Sequence, residues 1–291
     1  MKSIMLQKNQ RPDIAVLLPL YYGNVLNEVR LSVRSLLRQS VSCDIFIGID
    51  GPLTPELYDY LCYLDVKYPT KIFLVSSQSN IGLANILNQC LDKALSIHCY
   101  KFLARMDGDD FCVKDRFKIQ IDYLASNSNI VAVGSNIVTF YKKTKKRQIS
   151  YVSDYDKIKN KFIYQSPIAH PSVMFRSSVL KRFRYNPTYW LNEDYKLWSD
   201  ILLSGYNISN IPLPLLYFRF SPATYSRRSG FKVSFSELKI RLHYLFSSKS
   251  LNPLHYLLCF LFFLSKLSPN FLLSLQYSVY RYFLNFFNSG K

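Results

Sequence analysis

The chain has 291 residues, 49% hydrophobic and 16% aromatic, and 37 Lys and Arg against 19 Asp and Glu give a formal net charge of +18. That length and apolar content suffice for one substantial core, or a core with an appendage, and exclude a disordered tail. Six cysteines (Cys43, Cys62, Cys90, Cys99, Cys112, Cys259) without a CxxC pair or regular spacing exclude a disulfide framework and a zinc site; with no apolar stretch of signal-peptide length in "MKSIMLQKNQRPD", the expected setting is reducing and cytosolic.

Along the first half, short aliphatic runs alternate with longer stretches of helical spacing, the pattern of βαβ units on a mainly parallel sheet. "IAVLLPL" (14–20) reads as a buried strand, and "NEVRLSVRSLLRQ" (27–39) as a helix with Val29, Val33, Leu36 and Leu37 on one face. "CDIFIGID" (43–50) is the second strand, "TPELYDYLCYLDVKY" (54–68) a helix with Pro55 in its first turn, and "KIFLVSS" (71–77) the third strand. "LANILNQCLDKALS" (83–96) is the next helix, and "YKFLARMD" (100–107) a fourth strand with an acidic cluster at its C-terminal end. "DRFKIQIDYLA" (115–125) follows as a helix. Further on, "QSPIAHPSVMFRSSVL" (165–180) reads as a loop, a short strand and a helix start, and "WLNEDYKLWSDILLSGYN" (190–207) as a loop leading into an amphipathic helix.

Ligands of open α/β sheets bind beyond the carboxyl ends of the strands. Pro19, Tyr21 and Tyr22 end the first strand, Asp50-Gly51 the second, Asn80-Ile81-Gly82 follow the third, and Asp107 to Asp110 end the fourth, so one site built from four loops is expected. Asp107, Asp109 and Asp110 offer hard oxygen ligands suited to Mg²⁺ or Mn²⁺, which would complete its sphere with substrate phosphate oxygens. A solvated acidic turn at the start of a helix is the alternative, and an EF-hand is excluded because its spaced ligands and terminal Glu are absent. Glu193 and Asp194 open a helix, where a carboxylate serves either as general base or as an ordinary partner of the helix dipole. His170 alone is either structural or catalytic.

In this order the chain resembles the family 2 glycosyltransferases, particularly bacterial enzymes of capsule, O-antigen and exopolysaccharide assembly. The resemblance runs through "LLPLYYGN", "GIDGPLTPEL", "SNIGLANILNQCL", "FLARMDGDDFCVKDRFKIQIDYL", "VGSNIVTF", "AHPSVMFR", "NEDYKLW" and "GYNISNIPLPLLYFRF", about residues 13–220. It implies an α/β, Rossmann-like GT-A fold of the nucleotide-diphospho-sugar transferases. It also implies that Pro19, Tyr21 and Asp50 hold the nucleobase with Asn80 and Arg105 nearby, that Asp107 contacts the ribose or sugar, and that Asp109 binds Mn²⁺ or Mg²⁺. Asp194 would then be the base and Glu193 its acceptor-orienting partner or rival. His170 would approach the metal or diphosphate, and Asp110 and Trp198 would belong to a sugar or acceptor site, Trp198 packing beneath the sugar or anchoring its helix. The implied reaction is an inverting transfer of one hexose from a nucleotide-diphospho-sugar, UDP by family expectation, to a saccharide on a polyprenyl diphosphate.

Two departures stand out. A second acidic residue beside the strand-two Asp is replaced by Gly51, and the QxxRW segment of processive members is missing, which favours a single sugar addition. The expected organisation is a catalytic domain over 1–225, with a nucleotide-sugar half over about 1–115 and an acceptor half over about 116–225. A basic, aromatic-rich helical segment over 226–291 follows, where nine cations face one acid, Glu237. Its runs "LHYLLCFLFFLSKL" (254–267) and "FLLSLQYSVYRYFLNFF" (271–287) suit the interfacial zone of an anionic membrane, placing the protein peripherally on the inner face of the cell membrane. A spanning hairpin, or helices packed on the catalytic domain, are the alternatives. Nucleic-acid binding is disfavoured by the carboxylates at the cleft and the lack of an RNA-binding signature, and a sugar nucleotidyltransferase by the first loop "PLYYGN".

Overall fold

The computed structural model describes residues 11–140, 146–220 and 230–267. Strands β1 (Ile14–Tyr21), β2 (Asp44–Asp50), β3 (Ile72–Ser77) and β4 (Phe102–Arg105) pair in parallel. Alternate side chains of β1 enter opposite cores: Ala15 and Leu17 face one, Ile14, Val16, Leu18 and Leu20 the other. A sheet covered on both faces explains why these strands are continuous apolar runs. Helices α1 (Leu26–Leu37) and α2 (Pro55–Lys67, with Pro55 in its first turn) pack on the second core, and α3 (Leu83–Ile97) on the first.

β4 is shorter than its apolar run because, after Arg105, Met106 donates to the Leu17 carbonyl and the chain then turns sharply, Asp110 N–H to Asp107 C=O. β5 (Phe111–Cys112) and α4 (Arg116–Ser126) follow. The buried Arg116 donates to Arg105 C=O at 2.9 Å, and the buried Gln120 to Ser172 C=O at 2.8 Å, which ties α4 to the end of β4 and to the turn before β8.

Apart from β8, the short strand expected within 165–180, the rest of the sheet comes from elements that periodicity did not show. β6 (Ile130–Phe140) carries β7 (Arg147–Ile149), and after α5 (Tyr155–Lys161) and a short 3₁₀ turn, His170–Ser172, β8 (Met174–Arg176) runs antiparallel beside β4. Beyond α6 (Ser177–Arg182) and α7 (Glu193–Leu203), β9 (Asn207–Arg219) pairs in parallel with β6 and antiparallel with β5. The order is β3-β2-β1-β4-β8-β6-β9-β5, so the two halves share one sheet.

Helix α8 (Phe231–Ser247) buries Val233, Glu237, Ile240, Arg241, Tyr244 and Leu245 at helical spacing. Ile240, Tyr244 and Leu245 join the cluster that contains Trp198, and the Tyr244 ring lies 4.3 Å from that of Phe162, so this helix packs on the α/β body. α9 (Pro253–Lys266) buries only Cys259 and is clasped to α8 by Glu237, which accepts hydrogen bonds from both Arg241 and Lys266. Two of the segment's cations are thus paired internally. The apolar run 271–287 lies outside the described residues, and among the described ones no helix is long and apolar enough to cross a membrane.

Candidate active site

The turn after β4 gathers Asp107, Asp109 and Asp110 so that one carboxylate oxygen of each lies within 4.8 Å of the others. Gly108 is required there, since a Cβ would sit 2.3 Å from Leu20. Arg219, at the end of β9, fixes the corner from the far side: its backbone N–H donates to Asp110 Oδ1 at 2.7 Å, its Nε to Asp109 C=O at 3.1 Å, and it pairs with Glu28 at 3.1 Å. Burial, with the Asp107 charge alongside, pushes Asp109 up to about 6 and Asp110 well above the ordinary carboxylate range. Asp110 Oδ2 is buried with no partner among the described residues. Three crowded, oxygen-only ligands, two of them held back from their charged form by burial and the neighbouring Asp107 charge, fit a hard divalent cation.

Arg105 is buried, salt-bridged to Asp107, and keeps Nε and Nη1 unpartnered. Its charge also reaches the acidic helix start and the His170-Tyr185 pair, because it acts on Glu193, Tyr185 and His170 alike. His170 stands outside the carboxylate cluster. It is buried, 2.9 Å by Nε2 from Tyr185 Oη, and burial followed by Arg105 holds its pKa well below 6.5, so the ring is neutral.

At the other strand ends, Pro19 is buried, Tyr21 is half-buried, and the Tyr21 N–H donates to Asn24 Oδ1 at 2.8 Å. Asp50 is buried and accepts from Ile81 N–H at 2.6 Å and Gly82 N–H at 3.1 Å, so its carboxylate shapes the loop that presents the exposed Asn80. Gly82 has φ +87°, and a Cβ there would lie 2.9 Å from the Trp190 ring.

The acidic helix start is delivered by a braced loop. Asn88 of α3 bonds the backbone of Tyr185 in both directions, at 2.8 and 3.2 Å. Leu191 takes φ 60°, a left-handed conformation costing a Leu about 1 kcal/mol or more, and this turn sets Glu193 and Asp194 at the head of α7. Asn192, just before them, is buried and donates from Nδ2 to Val233 C=O of α8 at 2.9 Å. Glu193 is buried; desolvation, then the neighbouring Asp194 charge, raises it to about 7. It lines an open, shallow cleft with Ile81, Leu83, Pro187, Trp190 and Leu191.

The structure therefore brings Asp107, Asp109, Asp110, Arg105, Glu193 and Asp194 into one electrostatic neighbourhood. Trp198 is fully buried, stacked on Phe175 at 5.5 Å, so it anchors α7 instead of meeting a sugar directly. Asp110 is likewise without exposed surface. Sequence reasoning missed Arg219, Glu28, Tyr185, Asn192 and Trp190. Arg219 is the last residue but one of the quoted run "GYNISNIPLPLLYFRF", and Trp190 stands three residues before Glu193, so both were in view without a pattern to single them out.

A mixed sheet whose parallel half ends in a carboxylate corner has the fold of the GT-A glycosyltransferases. The mannosyltransferase PcManGT of Pyrobaculum calidifontis, solved in complex with GDP-Man and Mn²⁺, superposes with a TM-score of 0.59 at 15% identity, covering 87% of this chain and 74% of that one. The chain belongs to glycosyl transferase family 2, whose model matches residues 16–184. It is 29% identical over 80% of its length to an Escherichia coli UDP-Gal:α-D-GlcNAc-diphosphoundecaprenol β-1,3-galactosyltransferase, covering 83% of that protein. It is 27% identical over 78% of its length to the amylovoran biosynthesis glycosyltransferase AmsE of Erwinia amylovora, again covering 83% of the relative. It is thus a family 2 glycosyltransferase, similar to enzymes of bacterial polysaccharide biosynthesis.

Proposed function

We propose that the protein moves one hexose, with inversion, from a UDP-sugar to a saccharide carried on a polyprenyl diphosphate. The observation that carries this reading is the convergence of the carboxylate corner and the Glu193-Asp194 pair around Arg105. Asp107 and Asp109, with Asp110 behind them, would hold Mn²⁺ or Mg²⁺, which when bound neutralises the diphosphate as it departs. Tyr21, Asn80 and the loop shaped by Asp50 accommodate the nucleotide, and the unpartnered N–H groups of Arg105 face the donor.

Asp194 accepts the proton of an acceptor hydroxyl while that oxygen forms its bond to the anomeric carbon, on the face opposite the breaking bond to diphosphate. Glu193, about half protonated near neutrality, donates in its protonated form a hydrogen bond that orients the acceptor. The UDP-Gal relative with its diphosphoundecaprenol-linked acceptor supports both substrate classes. An exposed apolar row on α9 (Leu254, Leu257, Leu261, Leu264), flanked by exposed Lys249, supports a peripheral position on the inner membrane face, with 226–291 as the associating segment.

Calorimetric titration with UDP, GDP and TDP, with and without Mn²⁺, tests the reading: UDP is expected to bind tightly only with metal. Asp109→Asn weakens that binding, whereas Asp194→Asn leaves it intact and lowers transfer roughly 10²- to 10⁴-fold. Equal loss of donor binding in both variants overturns the assignment of roles.

A further inference from the structure

Beside Glu193 stands Trp190, one of the chain's two tryptophans, 47% exposed where Trp198 is fully buried. An indole face next to a buried carboxyl group suits a pyranose, whose C–H face packs on the ring while a hydroxyl meets the acid. The ammonium of the exposed Lys232 lies 5.8 Å from the centre of that ring. Lys232 is the second residue of α8, and the helix start is tied to the turn before Glu193 by Asn192.

Next to Lys232 begins an aromatic cluster. Phe231 stacks on Phe235 at 5.6 Å, and Phe263 of α9 meets both, at 5.9 and 6.3 Å. Phe231 is 64% exposed and Phe235 40%. Adjacent phenyl rings left facing water mark a place where apolar material binds.

We propose that Trp190, Lys232 and the Phe231-Phe235-Phe263 cluster form one track for the acceptor, binding its sugar, its diphosphate and the start of its prenyl chain in that order. This rests on the lipid-linked acceptor proposed above and assigns it residues. A bilayer or a second copy of the chain would account for the phenyl rings, but not for their following an aromatic platform and a cation that begin at the cleft holding Glu193. Lys232 acts as a point charge for the phosphates, and the link from Asn192 to Val233 makes the track and the acidic pair one rigid unit.

Trp190 reports on the test directly, because Trp198 has no exposed surface. Farnesyl diphosphate, titrated without divalent metal so that the carboxylate corner does not take it up, should alter Trp190 emission and bind at least roughly tenfold tighter than farnesol or inorganic diphosphate alone. Lys232→Gln and the double variant Phe231→Ser/Phe235→Ser should each weaken it about tenfold. Unchanged affinity in both variants overturns the proposal. So does an equal emission change from phosphatidylglycerol vesicles that farnesyl diphosphate does not compete away, which gives the surface to the bilayer, or a concentration-dependent dimer lost in the double variant, which gives it to a second copy. UDP titration of the unmodified protein with Mn²⁺ separates the failures: UDP binding without farnesyl diphosphate binding removes the track alone, and no UDP binding removes the donor reading.

Discussion

Asp50 shows how a single carboxylate can shape a site from beneath. Two consecutive backbone amides, Ile81 and Gly82, converge on it across 31 and 32 residues of sequence. Asp50→Ala orphans both donors and should destabilise the fold by about 2 kcal/mol in denaturant unfolding, with weaker UDP binding as the loop relaxes. Its importance was legible from its place at a strand end; its partners were not, since no local pattern links a strand to a loop so distant. Glu193 makes a pH-dependent claim. Its pKa rises from 4.5 to about 7 on folding, so its stabilising protonated form is fully present below pH 4.5 and is lost as pH rises through 7. Glu193→Gln should therefore be more stable than the unmodified protein at pH 8.5, by about 1–3 kcal/mol, and show no gain at pH 4. Thermal unfolding at the two pH values checks this, and a gain that does not depend on pH would remove the buried carboxyl as its cause.

Among the elements, the β1–α1–β2–α2–β3–α3–β4 series, with α4, β8 and α7, follows from the sequence alone, because buried strands and amphipathic helices have distinct periods. β6 and β9 escape that test: their pairing is interrupted by register shifts, and β9 carries Pro212 and Pro214. α8 escapes it for another reason, since its buried face includes Glu237 and Arg241 and reads as polar until the pair is seen closed. Burial alone would raise Glu237, but Arg241 and Lys266 outweigh it and hold the carboxyl at about 2. The clasp between α8 and α9 is thus fully formed above the ordinary value of 4.5 and is lost as pH falls through 2. Glu237→Gln removes the carboxylate shared by Arg241 and Lys266 and should cost about 3 kcal/mol at pH 7, while abolishing the acid-induced release of α9 that hydrogen exchange is expected to show. An unaltered acid transition would show that other contacts hold the hairpin.

At the scale of the whole molecule, a net charge of +18 and the apolar row on α9 would act together at an anionic surface, as the proposed peripheral position requires. Co-flotation with phosphatidylglycerol vesicles should fall steeply between 0.05 and 0.5 M NaCl, about the range over which the Debye length contracts from roughly 14 to 4 Å. Leu257→Ser/Leu261→Ser, both exposed in the free protein, should reduce vesicle binding about tenfold or more at any salt and leave UDP binding unchanged. Retention of both variants on vesicles would place membrane attachment elsewhere in the chain.

The hydrogen bond from Arg219 to Asp110 crosses 109 residues, and among the described residues β5 is paired only with β9. During synthesis, therefore, the acidic corner leaves the ribosome long before the strand that pins it exists. A nascent chain halted before β9 carries every carboxylate of the corner and none of its outer support. Under the function proposed above, the corner would gain its full support for a nucleotide sugar only once β9 is made, after the acceptor-side helix.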